Sequence, residues 1–192
     1  MTAGVHLAAL GLSLSALSPS AVLAQADPLA GRFGGAFTLT APDGRRVSDR
    51  DLLGRYVLIT FGYTRCPDVC PTDLAVMSQA LDALGPAAER IQPVFVTVDP
   101  ARDTPALMGE YVASFHPRLL GLSGSEADVA AAAKAYKVHR RKVLTTPGQT
   151  DDYLVDHSSL TYLMGPEGGF LTLFPTNTPA NRMAAALKTY VR

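Results

Sequence analysis

Two short stretches of the chain are apolar at nearly every position: Tyr56-Val57-Leu58-Ile59-Thr60-Phe61 and Val94-Phe95-Val96-Thr97-Val98. Such runs belong to strands covered on both faces, so they predict two central, parallel strands. Between them Leu74, Met77, Leu81 and Leu84 recur at helical spacing until Gly85-Pro86 stops the pattern, which makes a βαβ unit. Upstream, Ala36 to Thr40 and Arg46-Val47 flank the turn residues Pro42-Asp43-Gly44 and predict an N-terminal β-hairpin. Downstream, Thr104 caps a helix with Pro105 in its first turn, burying Leu107, Met108, Tyr111, Val112 and Phe115 before Pro117. Another helix starts at Ser125, with Ser125 and Asp128 in a weaker variant of the capping box and Val129, Ala132, Ala133 and Tyr136 inward. Leu160 to Met164 and Phe170 to Phe174 form a hairpin around Gly165-Pro166-Glu167-Gly168-Gly169. A last helix opens with Thr178-Pro179 and packs Met183, Leu187 and Tyr190.

This order predicts one α/β domain over residues 33–192, with a thioredoxin-like central mixed sheet flanked by helices. A chain of 192 residues, 47% of them apolar, is long enough for a single domain with a real core. Residues 1–26 are set apart: they are apolar from Val5 to Leu17 and then small and serine-rich, with cleavage points after Ala24 or Ala26. They predict a signal peptide or an N-terminal anchor, hence a periplasmic or cell-envelope protein, with membrane contact through the N-terminus in the anchored case. Seventeen basic residues balance seventeen acidic ones, so nothing in the charge points to nucleic acid or to an anionic membrane surface.

The chemistry falls where the first core strand ends, in Phe61-Gly62-Tyr63-Thr64-Arg65-Cys66-Pro67-Asp68-Val69-Cys70-Pro71. Ligands in α/β folds bind at the carboxyl ends of parallel strands. Cys66 and Cys70 are the only cysteines, and each precedes a proline, which disfavours helical backbone and predicts a turn. With Pro71 at the first helical position, Cys70 becomes the cap residue, where the helix dipole favours its thiolate. Such a turn brings two sulfurs close enough to bond each other or to grip one ion. A disulfide closing so short a ring adds little stability, which favours a functional pair over a structural one. Among the histidines, His6 lies in the leading segment, His116 ends a helix and His139 sits beside Arg140, Arg141 and Lys142. His157 is left as the candidate third donor, against a reading as a surface or hydrogen-bonded histidine; Asp156, Ser158 and Ser159 could fix its tautomer or simply form a turn, and with the two cysteines it is expected to make one exposed site.

Three separated motifs, Thr64-x-Cys66-Pro67-Asp68-Val69-Cys70-Pro71, Val98-Asp99-Pro100-x-Arg102-Asp103-Thr104 and Asp152-Tyr153-x-Val155-Asp156-His157-Ser158, together resemble the Sco (SenC) proteins. The resemblance implies a thioredoxin fold and one copper ion held by Cys66, Cys70 and His157. It also implies a chaperone role in assembling the dinuclear copper site of cytochrome c oxidase. Asp99 would then support the metal loop, against a reading in which Asp99 to Asp103 only shape a turn. Two thiolates and an imidazole suit copper(I), and an open three-donor site suits transfer. The implied partners are the copper-bearing oxidase subunit, a copper donor and a thiol reductant, because a disulfide has no thiolate to offer. The alternatives are a thiol-disulfide oxidoreductase or peroxide-reducing enzyme using the redox-active pair Cys66 and Cys70, and a copper-dependent redox sensor.

Overall fold

The computed structural model describes residues 1, 29, 31–146 and 152–191; the leading segment read as a signal or anchor lies outside them, Met1 excepted. The N-terminal hairpin forms as expected from Thr38–Thr40 (β1) and Arg46–Ser48 (β2), with Leu39 opposite Val47 and both buried. Gly44 (φ 82°) supplies the left-handed turn residue that a Cβ would strain. The hairpin is anchored by paired backbone hydrogen bonds between Thr40 and Ser123 and by an ion pair from Arg46 to Asp128.

The two apolar runs become Tyr56–Gly62 (β3) and Ile91–Thr97 (β4), parallel neighbours with Ile59 opposite Val94. Val69–Leu84 (α1) connects them, ending at Gly85 in left-handed backbone (φ 57°). Pro105–Ala113 (α2) leads into Leu120–Leu122 (β5), a short strand parallel to β4 that the pattern reading did not anticipate. Thr104 caps α2 by accepting from the Leu107 N–H, as expected. Leu107 itself is not buried as predicted but 36% exposed, because Met108 and Val112 carry the inward face. Glu126–Ala135 (α3) opens with the complete Ser125–Asp128 capping box and buries Val129, Ala132, Ala133 and, just beyond its end, Tyr136.

Next come two strands of a separate arm, Arg140–Leu144 (β6) and Tyr153–His157 (β7), which among the described residues pair only with each other, with Arg140 opposite His157. Leu160–Met164 (β8) and Phe170–Pro175 (β9) return the chain to the main sheet as the predicted hairpin, and Ala180–Tyr190 (α4) closes the fold against α1. The main sheet has the order β5-β4-β3-β8-β9, in which β8 alone runs opposite to the other four strands. It is the expected mixed thioredoxin-like sheet, and β3 and β4 stand inside it because their side chains are buried nearly throughout.

Candidate metal centre

β3 delivers the chain to the site at Gly62, whose carbonyl accepts the Val98 N–H at 2.7 Å and so extends the pairing one step past β4. The loop beyond is pinned by a residue that the pattern reading passed over. Asp103, fully buried, accepts from the Thr64 N–H at 3.0 Å, the Thr64 hydroxyl at 2.6 Å and the Thr97 hydroxyl at 2.7 Å. The cysteine loop is thereby tied to the end of β4, and a turn closes when the Cys66 N–H donates to the Tyr63 carbonyl at 3.2 Å.

α1 begins earlier than expected, with Asp68 at the cap position and Val69 first in the helix. Cys70 is therefore helical although it precedes Pro71, and it is not the cap. The proline is tolerated because its missing N–H falls in the first turn, where amides have no helical partner. One such free amide, that of Cys70, donates to the Cys66 sulfur at 3.4 Å.

His157, 87 positions after Cys70, closes on it from β7, with Nε2 3.5 Å from the Cys70 sulfur. Its Nδ1 lies 3.0 Å from the Val155 carbonyl. A carbonyl only accepts, so Nδ1 carries the proton and the lone pair on Nε2 faces the thiol. Bonds of about 2.3 Å to sulfur and 2.0 Å to nitrogen, at an angle near 110–120°, put the two donor atoms roughly 3.5–3.7 Å apart. The observed separation therefore suits one shared ion. The tautomer is not set by the residues expected: Asp156 pairs with Arg141 at 3.3 Å, and the Ser158 hydroxyl accepts the His139 N–H at 2.9 Å. Tyr63 steadies the imidazole instead, its ring edge-on at 5.7 Å and its hydroxyl accepting the Val155 N–H at 3.2 Å.

The charge in the pair also differs from expectation. Hydrogen bonding from the Cys70 thiol outweighs burial and, with the amides of Cys70 and Asp68, pulls the Cys66 thiol down to about 6. Donating that hydrogen bond, together with burial, pushes the Cys70 thiol well up. Both shifts favour Cys66 as the thiolate of the pair, and the Cys70 amide aimed at the Cys66 sulfur acts in the same direction, where the helix dipole alone favours Cys70. Both cysteines are free thiols and neither is exposed as predicted: 8% of Cys66 and 4% of Cys70 reach the surface. Access comes through a cavity of about 350 Å³ whose walls include Cys66, Pro67, Leu154 and His157. Among the described residues no set of three or more His, Cys, Asp or Glu side chains stands as a finished metal cage. Cys70 is instead in hydrogen-bonding contact with both of the other residues, through its amide to the Cys66 sulfur and its sulfur to His157.

Asp99 shapes the turn considered for it, and its side chain reaches the strand that carries His157, through Tyr153, rather than the cysteine loop. Its carbonyl accepts the Arg102 and Asp103 amides at 3.1 and 3.0 Å, which makes the turn, and its buried side chain accepts from Arg102 Nε and the Tyr153 hydroxyl. The imidazoles of His116 and His139 are engaged elsewhere: His116 accepts the Arg118 N–H, and His139, though its backbone pairs with Ser158, turns its ring to Asp156 at the surface.

Gly62 is needed for the cysteines to sit as they do. A Cβ at this position would stand 2.7 Å from the Cys70 sulfur and 2.7 Å from the Phe95 ring. Gly62→Ala is accordingly expected to lower stability by about 1–3 kcal/mol, the usual cost of overpacking a core. Urea unfolding of the reduced protein measures that loss.

The sequence model of the SCO1/SenC family matches residues 25–192. The chain belongs to the SCO1/SenC family. Among its relatives are Protein sco1 of Schizosaccharomyces pombe, 42% identical over 83% of this chain and 61% of its own length. The mitochondrial SCO1 homolog of Homo sapiens is 41% identical over 83% of this chain and 53% of its own length. This SCO1/SenC member thus spans little more than half the length of those relatives. Among solved structures, Bradyrhizobium japonicum ScoI with copper bound superposes with a TM-score of 0.74 at 45% identity, covering 82% of this chain and 99% of that one. BsSco, described as having a disulfide switch and as a member of the Sco family of cytochrome c oxidase assembly proteins, gives 0.63 at 26% identity, over 83% and 94%.

Proposed function

We propose that this SCO1/SenC protein is a copper chaperone. It holds one copper ion between Cys66, Cys70 and His157 and passes it to the dinuclear copper site of cytochrome c oxidase during assembly. The observation that carries this reading is the approach of His157 Nε2 to within 3.5 Å of the Cys70 sulfur, with its other nitrogen engaged by a carbonyl. Two sulfurs and one imidazole form a soft donor set that suits copper(I), and three donors leave a position open for exchange with an acceptor. Two of its relatives' descriptions support the cargo and the destination: one was solved with copper bound, and another is named among oxidase assembly proteins.

A disulfide between Cys66 and Cys70 would remove both sulfur donors, so a thiol reductant and a copper donor are the partners this chemistry requires beside the oxidase subunit. Dithiol exchange alone has no use for an imidazole held against Cys70, and the oxidoreductase reading is not favoured. The serine-rich apolar leader supports a place in the cell envelope; among the described residues no helix is long and apolar enough to cross a membrane.

The test is titration of the reduced protein with copper(I) against a competing chelator. One ion per chain is expected, none for the oxidised protein, and a loss on His157→Ala larger than the roughly 10–100-fold that removal of an outer supporting partner costs. Failure of the reduced protein to retain copper, or an unchanged affinity in His157→Ala, overturns the proposal.

A further inference from the structure

Among the described residues the strand that brings His157 to the cysteines belongs to no larger sheet, since β6 and β7 pair there only with each other. Its placement depends on side chains that bridge to the body, and most of these meet at Arg102. The Arg102 guanidinium lies 3.6 Å over the Tyr153 ring, at the start of β7, and 5.8 Å from the Tyr63 ring, which in turn packs edge-on against His157. Arg102 Nε donates to Asp99 at 2.5 Å, and one terminal nitrogen donates to the Tyr153 carbonyl at 3.0 Å. The Tyr153 hydroxyl returns to the same Asp99 carboxyl at 2.8 Å, so Tyr153 is held at its ring, its carbonyl and its hydroxyl. Other bridges from the arm to the body are the Val155 N–H to the Tyr63 hydroxyl, His157 to the Cys70 sulfur, and, from the arm's other strand, Arg140, which donates to the Val98 carbonyl and pairs with Glu126.

We infer that Arg102 is a positioning residue that clamps the His157-bearing arm onto the cysteine loop, and that copper capture by all three donors depends on this clamp. The inference rests on the proposed function and adds to it the device that keeps the third donor in place. A guanidinium suits the task because one planar group stacks on a ring and donates along its edge, which a lysine ammonium cannot do. The other terminal nitrogen of Arg102 is buried with no hydrogen-bond partner among the described residues. An unmade buried hydrogen bond costs stability, and a well-packed apolar side chain would avoid that cost. What the arginine supplies is geometry, by joining β7 to the turn after β4.

The experiment follows amide hydrogen exchange in the reduced, metal-free protein for Arg102→Gln and Tyr153→Phe, beside the unchanged chain. The second variant removes only the hydroxyl that reaches Asp99 and keeps the ring beneath the guanidinium. In Arg102→Gln, exchange at 153–157 is expected to speed up by tenfold or more while β3 and β4 keep their protection; Tyr153→Phe gives a smaller change in the same segment. When the protein is loaded with copper(II), the imidazole-nitrogen coupling in its paramagnetic resonance spectrum is expected to weaken in Arg102→Gln while sulfur-to-copper absorption persists. Unchanged exchange in the arm, or an equal loss of protection in β3, β4 and the arm, overturns the clamp. Should Arg102→Gln fail to fold, Tyr153→Phe decides by the same criterion. The exchange arm uses no metal, so a chain that bound no copper would refute the proposed function and still leave the clamp to be judged.

Discussion

Copper(I) affinity of the reduced protein is expected to fall at least about 100-fold on Cys66→Ser or Cys70→Ser. The magnitude follows from dividing the roughly 10–16 kcal/mol of a four-ligand structural zinc site among its ligands, which leaves about 2.5–4 kcal/mol for each, on the order of 100-fold or more. The two substitutions differ in their dependence on pH. In the unchanged pair Cys66 has lost its proton above about 6 while Cys70 retains one, so binding at neutral pH releases a proton from Cys70. The thiols' share of the affinity therefore rises about tenfold per pH unit above 6, and its slope steepens towards about 100-fold per unit below, where Cys66 is protonated as well. Cys66→Ser removes the sulfur that holds the Cys70 pKa up, so the remaining thiol titrates lower and the low-pH slope flattens to that of one proton. Chelator competition between pH 5.5 and 8.5, repeated in His157→Ala to isolate the sulfurs, measures both slopes. An affinity independent of pH across that range would contradict the assignment of the proton to Cys70.

What could be read along the chain was local. β3, β4 and the capping box of α3 depend on neighbours a few positions apart, and their residues announce them. The arm is different: β6 opens with Arg140-Arg141-Lys142, and β7 alternates buried Tyr153 and Val155 with exposed Leu154 and Asp156. Because the outward Leu154 is as apolar as the inward Val155, the alternation that marks a strand is invisible in hydropathy. The start of α1 was misplaced for a related reason. The rule for residues before proline is a preference, and it yielded at Cys70 to a helix already begun at Val69. Cys66, Cys70 and His157 were recognisable as donor types, but which thiol holds the proton depends on the Cys70 side chain beside Cys66, a contact set by the folded turn. Asp103 was visible only as one acid in a turn-forming motif. Its role needs Thr64 and Thr97, 39 and 6 positions away, to converge on it.

Asp103→Ala is expected to be the most destabilising change near the site. The substitution takes the acceptor from three donors at once, the Thr64 amide and the hydroxyls of Thr64 and Thr97, at a position with no exposure to solvent. Each buried donor left unsatisfied costs about 1–3 kcal/mol, and allowing for relaxation and non-additivity the total is expected near 3–5 kcal/mol. A domain with about 5–15 kcal/mol of stability would survive in the cold and lose much of its margin when warmed. Asp103→Asn, which keeps one carbonyl oxygen, is expected to lose less, and Thr97→Val, which removes one donor to Asp103 and the acceptor of the buried Asp99 N–H but leaves the Thr64 bonds, about 1–3 kcal/mol. Copper capture should weaken in Asp103→Ala even where the protein is folded, because Thr64 is two residues from Cys66 and its release frees the loop that sets the sulfur spacing. Urea unfolding of the three variants, with copper(I) competition at a temperature where each is folded, separates the two effects. An Asp103→Ala protein within 1 kcal/mol of the unchanged chain would show that the loop is held by the β3–β4 backbone alone.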